Sequence, residues 1–66
     1  MEYKVLFNGV DYLVKVKKDS SWEYEQGYTH GSFYSNKKFR SEKQAVRHVV
    51  EKYGYHAKRV RKYRIV

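Results

Sequence analysis

Apolar and polar residues alternate along the first seventeen positions. Tyr3, Val5, Phe7, Val10, Tyr12, Val14 and Val16 fall on one side, and Glu2, Lys4, Leu6, Asp11, Leu13, Lys15 and Lys17 on the other. A period of two is the mark of half-buried strands. Asn8-Gly9 sits at the break between the two runs and is a strong hairpin signal, because a type I′ turn needs positive φ at both central positions. A two-residue loop there pairs Phe7 with Val10, Val5 with Tyr12 and Tyr3 with Val14. After the polar connection 17–21, Trp22-Glu23-Tyr24-Glu25-Gln26 alternates again. A third strand is expected, with Trp22 and Tyr24 inward and Glu23 and Glu25 outward.

Gly27 and Gly31 bracket Tyr28, Thr29 and His30, which reads as a loop or a second hairpin turn, and residues 32–36 as a short fourth strand. The pattern then changes period. Ser41-Glu42-Lys43-Gln44 fits the capping box, with a serine at N-cap and a glutamine three residues on. Ala45, Val46, Val49, Val50 and Tyr53 make one apolar stripe at helical spacing. Gly54 is placed for a left-handed C-cap. Residues 57–66 are β-branched and basic, with no Pro or Gly, and are expected to form a last strand or a partly ordered tail. The expected fold is α+β: one small basic domain over 1–66, an antiparallel sheet of three to five strands with one helix on one face, in the order β-β-β-(β)-α-β.

Composition sharpens this picture. At 66 residues the chain is near the lower limit for folding on a hydrophobic core alone, and it has no cysteine for a disulfide or a thiolate metal site. No apolar run approaches the ~20 residues that span a bilayer. The start Met1-Glu2-Tyr3-Lys4 has no apolar signal core. A cytoplasmic protein without a membrane partner is therefore expected.

The charge is unevenly spread. Residues 1–35 hold four basic and five acidic side chains, whereas residues 36–66 hold eleven basic against Glu42 and Glu51. So concentrated a charge is costly in self-repulsion unless a polyanion relieves it. Arg40, Lys43 and Arg47 line one side of the helix if its first turn reaches back to Arg40, and Glu51 lies four residues after Arg47 for a weak pair. Lys37, Lys38, Arg40, Lys43 and Arg47 are the expected phosphate contacts on the helix side. Arg59, Arg61, Lys62 and Arg64 extend the track along the last strand. The amides of the helix start offer one more phosphate position.

Tyrosine supplies eight of the aromatics. Trp22, Tyr24, Phe33 and Phe39 are expected in the core, because so small a chain needs its large side chains there. Tyr28, Tyr34, Tyr55 and Tyr63 lie beside turns or charge and are the stacking candidates, Tyr55 and Tyr63 within the basic region itself.

Enzymatic patterns are weak. His30, His48 and His56 share no ligand spacing, which leaves no metal site. His48 reads as a surface or boundary residue. His56-Ala57-Lys58-Arg59 with Tyr63 lacks the spacing and the larger domain of a tyrosine recombinase. Gly27 to Gly31 lacks the Lys-Ser/Thr of a phosphate loop. Glu23 and Glu25 are the one close carboxylate pair. Neither catalytic residue nor cofactor is expected.

The segment from Trp22 to Gly54 resembles the small AP2-like DNA-binding domains at the amino end of phage and transposon integrases. The shared features are the aromatic strand Trp22-Glu23-Tyr24, the Gly-containing turn, and Lys37-Lys38-Phe39-Arg40 running into the capped helix Ser41-Glu42-Lys43-Gln44-Ala45. The resemblance implies a mobile-element DNA-binding module with three antiparallel strands in the major groove and the helix behind them. With Glu23 and Glu25 expected on the exposed strand face, the helix edge and the last strand are the expected contacts here. The expected function is a non-catalytic nucleic-acid-binding module, with double-stranded DNA favoured over RNA. The alternative is a small phage-type interaction module or inhibitor that binds an acidic host protein.

Overall fold

A computed structural model describes residues 1–29 and 33–60. In chain order these form β1 (Glu2–Phe7), β2 (Tyr12–Lys18), β3 (Ser21–Tyr24), β4 (Gln26–Thr29), β5 (Phe33–Asn36), α1 (Glu42–Tyr53) and β6 (Lys58–Arg59). The fold is a small α+β arrangement. One four-stranded sheet has the order β3-β2-β1-β6, and β4 with β5 makes a separate two-stranded sheet.

The first hairpin forms with a register two residues away from the expected one. Tyr3 pairs with Val16, Val5 with Val14 and Phe7 with Tyr12. The cause is local. Asn8 Oδ1 accepts from the backbone N–H groups of Val10 and Asp11, both at 2.8 Å, and the Asn8 N–H donates to the Asp11 carbonyl at 3.1 Å. An Asx-type closure of this kind competes with the two-residue turn and widens the loop to residues 8–11. Gly9 takes φ +99°, and Val10 leaves the core face for solvent. A two-residue slip preserves the face of every other side chain, so the face assignment survives the change.

β3 corrects the sequence reading more deeply. The turn after β2 is tight: Asp19 takes φ +56°, and Lys18 pairs directly with Ser21. That register places Glu23 opposite Val16, Tyr24 opposite Lys15 and Trp22 opposite Lys17. Directly paired residues share a face, so Trp22 and Tyr24 lie on the outer face with Lys15 and Lys17, away from the core. Glu23 lies on the helix side of the sheet at its exposed edge.

Glu25 follows β3 as the joint between the two sheets. Its N–H donates to the Val14 carbonyl at 2.7 Å, and its carbonyl accepts from the Lys37 N–H at 2.8 Å. The β4–β5 ladder realises the expected second hairpin and fourth strand, with Gln26 opposite Asn36 and Tyr28 opposite Tyr34. Its turn, residues 30–32, lies outside the described residues. The chain then returns to β2, where Phe39 and Tyr12 exchange two backbone bonds of 2.9 Å.

α1 starts and stops as its sequence signals require. Ser41 Oγ accepts from the Gln44 N–H at 3.2 Å, and Gln44 Oε1 reaches back to the Arg40 N–H at 3.3 Å. Because Ser41 is the N-cap, Arg40 precedes the helix and does not line its side with Lys43 and Arg47. Gly54 ends the helix at φ +96° with an extended ψ of 171°, a glycine conformation outside the expected left-handed helical region.

Ala45 and Val49 are buried against Tyr3, Val14, Val16 and Phe39 on the inner face of the sheet, with Val5, Tyr12, Tyr53 and Ala57 packed around them. The last strand departs from the antiparallel expectation. β6 pairs with β1 in parallel, Lys58 opposite Glu2 and Arg59 opposite Tyr3. The helical connection that precedes it brings the chain back in the direction of β1. Residues 61–66 of the expected strand lie outside the described residues.

Candidate nucleic-acid interface

The fold sorts the charged residues into three places. The first is the start of α1. Lys37, Lys38 and Arg40 are exposed on the segment that leads into the helix, and Lys43 is exposed in its first turn. Among the described residues none of the four lies within ion-pair distance of a carboxylate, although the Lys37 ammonium sits 6.0 Å from the Phe39 ring centroid. Ser41, Lys43, Gln44 and Arg47 line a shallow depression beside this start.

The second place is the outer side of α1 and the chain after it. Lys43, Arg47, Val46, Val50, Tyr55 and Arg59 border one concavity there. Tyr55 is almost fully exposed, at 92%. The two arginines are already occupied. Arg47 pairs with Glu51 at 3.7 Å, as the i, i+4 spacing predicts, and the Arg59 guanidinium holds Glu42 at 2.5 Å. Arg59 is mostly covered, so a phosphate there competes with Glu42. The remaining expected contacts, Arg61, Lys62, Tyr63 and Arg64, lie outside the described residues, as do the side chains of Tyr28, Phe33 and Tyr34.

The third place was not expected as a site. On the outer face of the four-stranded sheet, Lys4 and Lys15 stand directly opposite each other. The Lys4 ammonium lies 4.4 Å from the centroid of the Trp22 ring, and that of Lys15 lies 4.7 Å from the Tyr24 ring. Trp22 is half-buried and Tyr24 is exposed, so neither ring belongs to the core. Phe39 does, as expected.

Behind β3, Glu25 is turned inward. Its carboxylate is only 4% exposed, and it takes hydrogen bonds from the Lys52 ammonium and from the Tyr53 hydroxyl at 2.8 and 3.1 Å. His48 Nε2 approaches to 3.6 Å without a hydrogen bond. The His48 ring also lies 5.2 Å from that of Phe39, which makes it a boundary residue, as its place on the helix suggested.

Burial alone raises the Glu25 carboxyl, but the bonds from Lys52 and Tyr53 outweigh it, and the net direction is downward. Lys52 is pushed up chiefly by its bond to Glu25. Tyr53 is pushed up by burial and by the same carboxylate. The group therefore ties the β3–β4 joint to the last turn of α1 with its charge internally neutralised. The expectation of an acidic outer strand face is overturned: Glu25 is consumed inside, and Glu23 sits on the opposite face, 3.9 Å from Lys18.

No helix among the described residues is long and apolar enough to cross a membrane. No family profile, curated protein or solved structure matches the chain.

Proposed function

We propose that this protein is a non-catalytic nucleic-acid-binding module that grips phosphates around the start of its helix, with double-stranded DNA as the favoured ligand. One observation carries the reading. The carboxylates of the basic half are spent on Arg47 and Arg59, while Lys37, Lys38, Arg40 and Lys43 are exposed without an acidic partner among the described residues. Four such cations clustered at a helix N-terminus, where backbone N–H groups already favour anions, form an electrostatic footprint for a phosphate backbone. Contacts of this type give affinity and register more than base readout. The preference for duplex DNA follows from the resemblance to the AP2-like integrase domains. An acidic protein is the rival partner, favoured by the apolar floor of Val46 and Val50 beside exposed Tyr55, with Lys43 at its border.

The test is anisotropy of labelled duplex DNA at 50 and 200 mM salt. Four phosphate contacts, one for each cation, give a salt slope of about −3.6 and weaken binding by roughly 150-fold over that range. Lys43→Gln or Arg40→Gln should each lower the salt slope by about one. Absence of binding at 50 mM salt and tens of micromolar protein refutes the reading. A loss concentrated at Tyr55, with basic substitutions nearly silent, identifies a protein interface instead.

A further inference from the structure

The outer face of the sheet contains an arrangement that sheet stability does not explain. Lys4 and Lys15 are direct cross-strand partners, and like charges so placed repel. A stabilising choice puts a carboxylate opposite one of them, as Glu2 does for Lys17 at 3.6 Å on this same face. Instead, both ammonium groups lean on aromatic rings at the β3 edge. Lys4, Lys15 and Trp22 are half-buried and Tyr24 is exposed, and such cation–π contacts contribute about 0.5–2 kcal/mol each, within the range that a charge-assisted bond to a phosphate can replace.

The rings are spaced for the same kind of ligand. Trp22 and Tyr24 are two residues apart on one strand, which sets their origins roughly 6.5–7 Å apart on one face. An unpaired strand with its bases splayed can place successive bases on two such rings, and base–aromatic stacking is tolerant of sequence. Beyond the rings, at the β3 edge, Gln26 and Asn36 line a recess with Trp22, Tyr24 and the ion pairs of Lys18 with Glu23 and Lys52 with Glu25. The two amide groups are donors and acceptors suited to base edges, while the two lysines there are balanced by Glu23 and Glu25.

We infer that the Trp22–Tyr24 face of the sheet is a second binding surface, one for single-stranded nucleic acid, in which the two rings stack bases and Lys4 and Lys15 move from the rings to the phosphates. It uses none of the residues assigned to the helix start, so the two surfaces stand or fall separately.

Trp22 is the chain's one tryptophan, so its fluorescence reports this face directly. The titration uses a fifteen-nucleotide oligothymidylate, a duplex of equal length and inorganic polyphosphate. Saturable quenching by oligothymidylate, with little from the duplex or polyphosphate, is the expected result. Lys4→Gln combined with Lys15→Gln should weaken it at least tenfold and lower the salt slope by about 1.4. Tyr24→Ser should weaken it about tenfold, whereas Tyr24→Phe retains it. Arg40→Gln with Lys43→Gln should leave the quenching unchanged while weakening duplex binding in the anisotropy assay. Circular dichroism checks that each variant keeps the fold. The inference is overturned if oligothymidylate does not quench, if duplex or polyphosphate quenches equally, or if the Arg40 and Lys43 substitutions remove the effect.

Discussion

Glu25→Gln is the most informative single perturbation of this fold. It keeps the side-chain shape and an acceptor for the Tyr53 hydroxyl, and it removes the charge that holds Lys52. Hydrogen bonds to charged groups contribute about 1.5–3 kcal/mol each when both partners are well placed. Here the carboxylate is 4% exposed but the Lys52 side chain is 50% exposed. The freed ammonium can therefore recover hydration, and the cost stays below the ~3–5 kcal/mol of a fully buried broken pair. A loss of about 2 kcal/mol is expected, which for a domain of this size lowers Tm by roughly 8–16 °C.

The control is Glu23→Gln, whose pair with Lys18 is more than half exposed at both ends and should contribute under ~0.5 kcal/mol. Acid titration supplies a second signature. The Glu25 carboxyl is held below its ordinary 4.5 when folded. Its contribution is therefore complete above that value and is lost as pH falls through the folded-state value. The variant's deficit should be full at pH 6 and shrink in acid. Thermal melts of the three proteins at pH 6 and pH 3 decide the matter. If Glu25→Gln melts within 2 °C of Glu23→Gln at pH 6, the inward ion pair is not a structural tie and the reasoning fails.

Other outcomes follow from the same structure. Lys52 and Tyr53 are both raised above their ordinary 10.5 and 10.0. Their contributions persist below those values and are lost as pH rises through the folded-state values, so alkaline melts should show a destabilisation whose Lys52 part Glu25→Gln removes, while the Tyr53 part, set first by burial, remains. Ser41→Ala deletes the acceptor for the Gln44 N–H and should cost about 1 kcal/mol by urea unfolding, with Ser41→Asp close to wild type. Val49→Ala empties a fully buried position and should cost about 2 kcal/mol in the same assay. Val46→Ala, at a half-buried position, should cost less than half of that.

The parts of this fold that were legible in the sequence are those set by local chemistry. The hairpin faces follow from a period of two, and the helix bounds from Ser41 and Gly54. The register of the first hairpin was misread because Asn8 can serve either a tight turn or a side-chain closure, and the sequence alone does not weigh one against the other. The orientation of Trp22 and Tyr24 was misread for a different reason. Alternation fixes which residues share a face but not which face is inside, and size alone favours large aromatics on the inside. What reverses them is the tight turn at Asp19 together with a distant carboxylate partnership, Glu25 with Lys52 and Tyr53, that no local pattern encodes. The outer-face site had a faint signal: Lys4, Lys15 and Lys17 share one side of the hairpin with Leu6 and Leu13. At the helix start, the exposed cations stood out in the sequence, whereas the capture of Arg59 by Glu42 depends on a fold-level contact.

The parallel pairing of β6 with β1 also fixes the order in which the molecule can be completed. β1 lies inside the sheet, yet its second neighbour arrives only with Lys58 and Arg59, whose segment also donates the Lys58 and Val60 N–H groups to the Met1 and Tyr3 carbonyls. Until that segment docks, the hairpin and the helix can assemble while one side of β1 still presents a bare row of hydrogen-bonding groups. A molecule in which residues 58–60 are detached therefore carries an open strand edge, the kind that pairs with neighbouring chains.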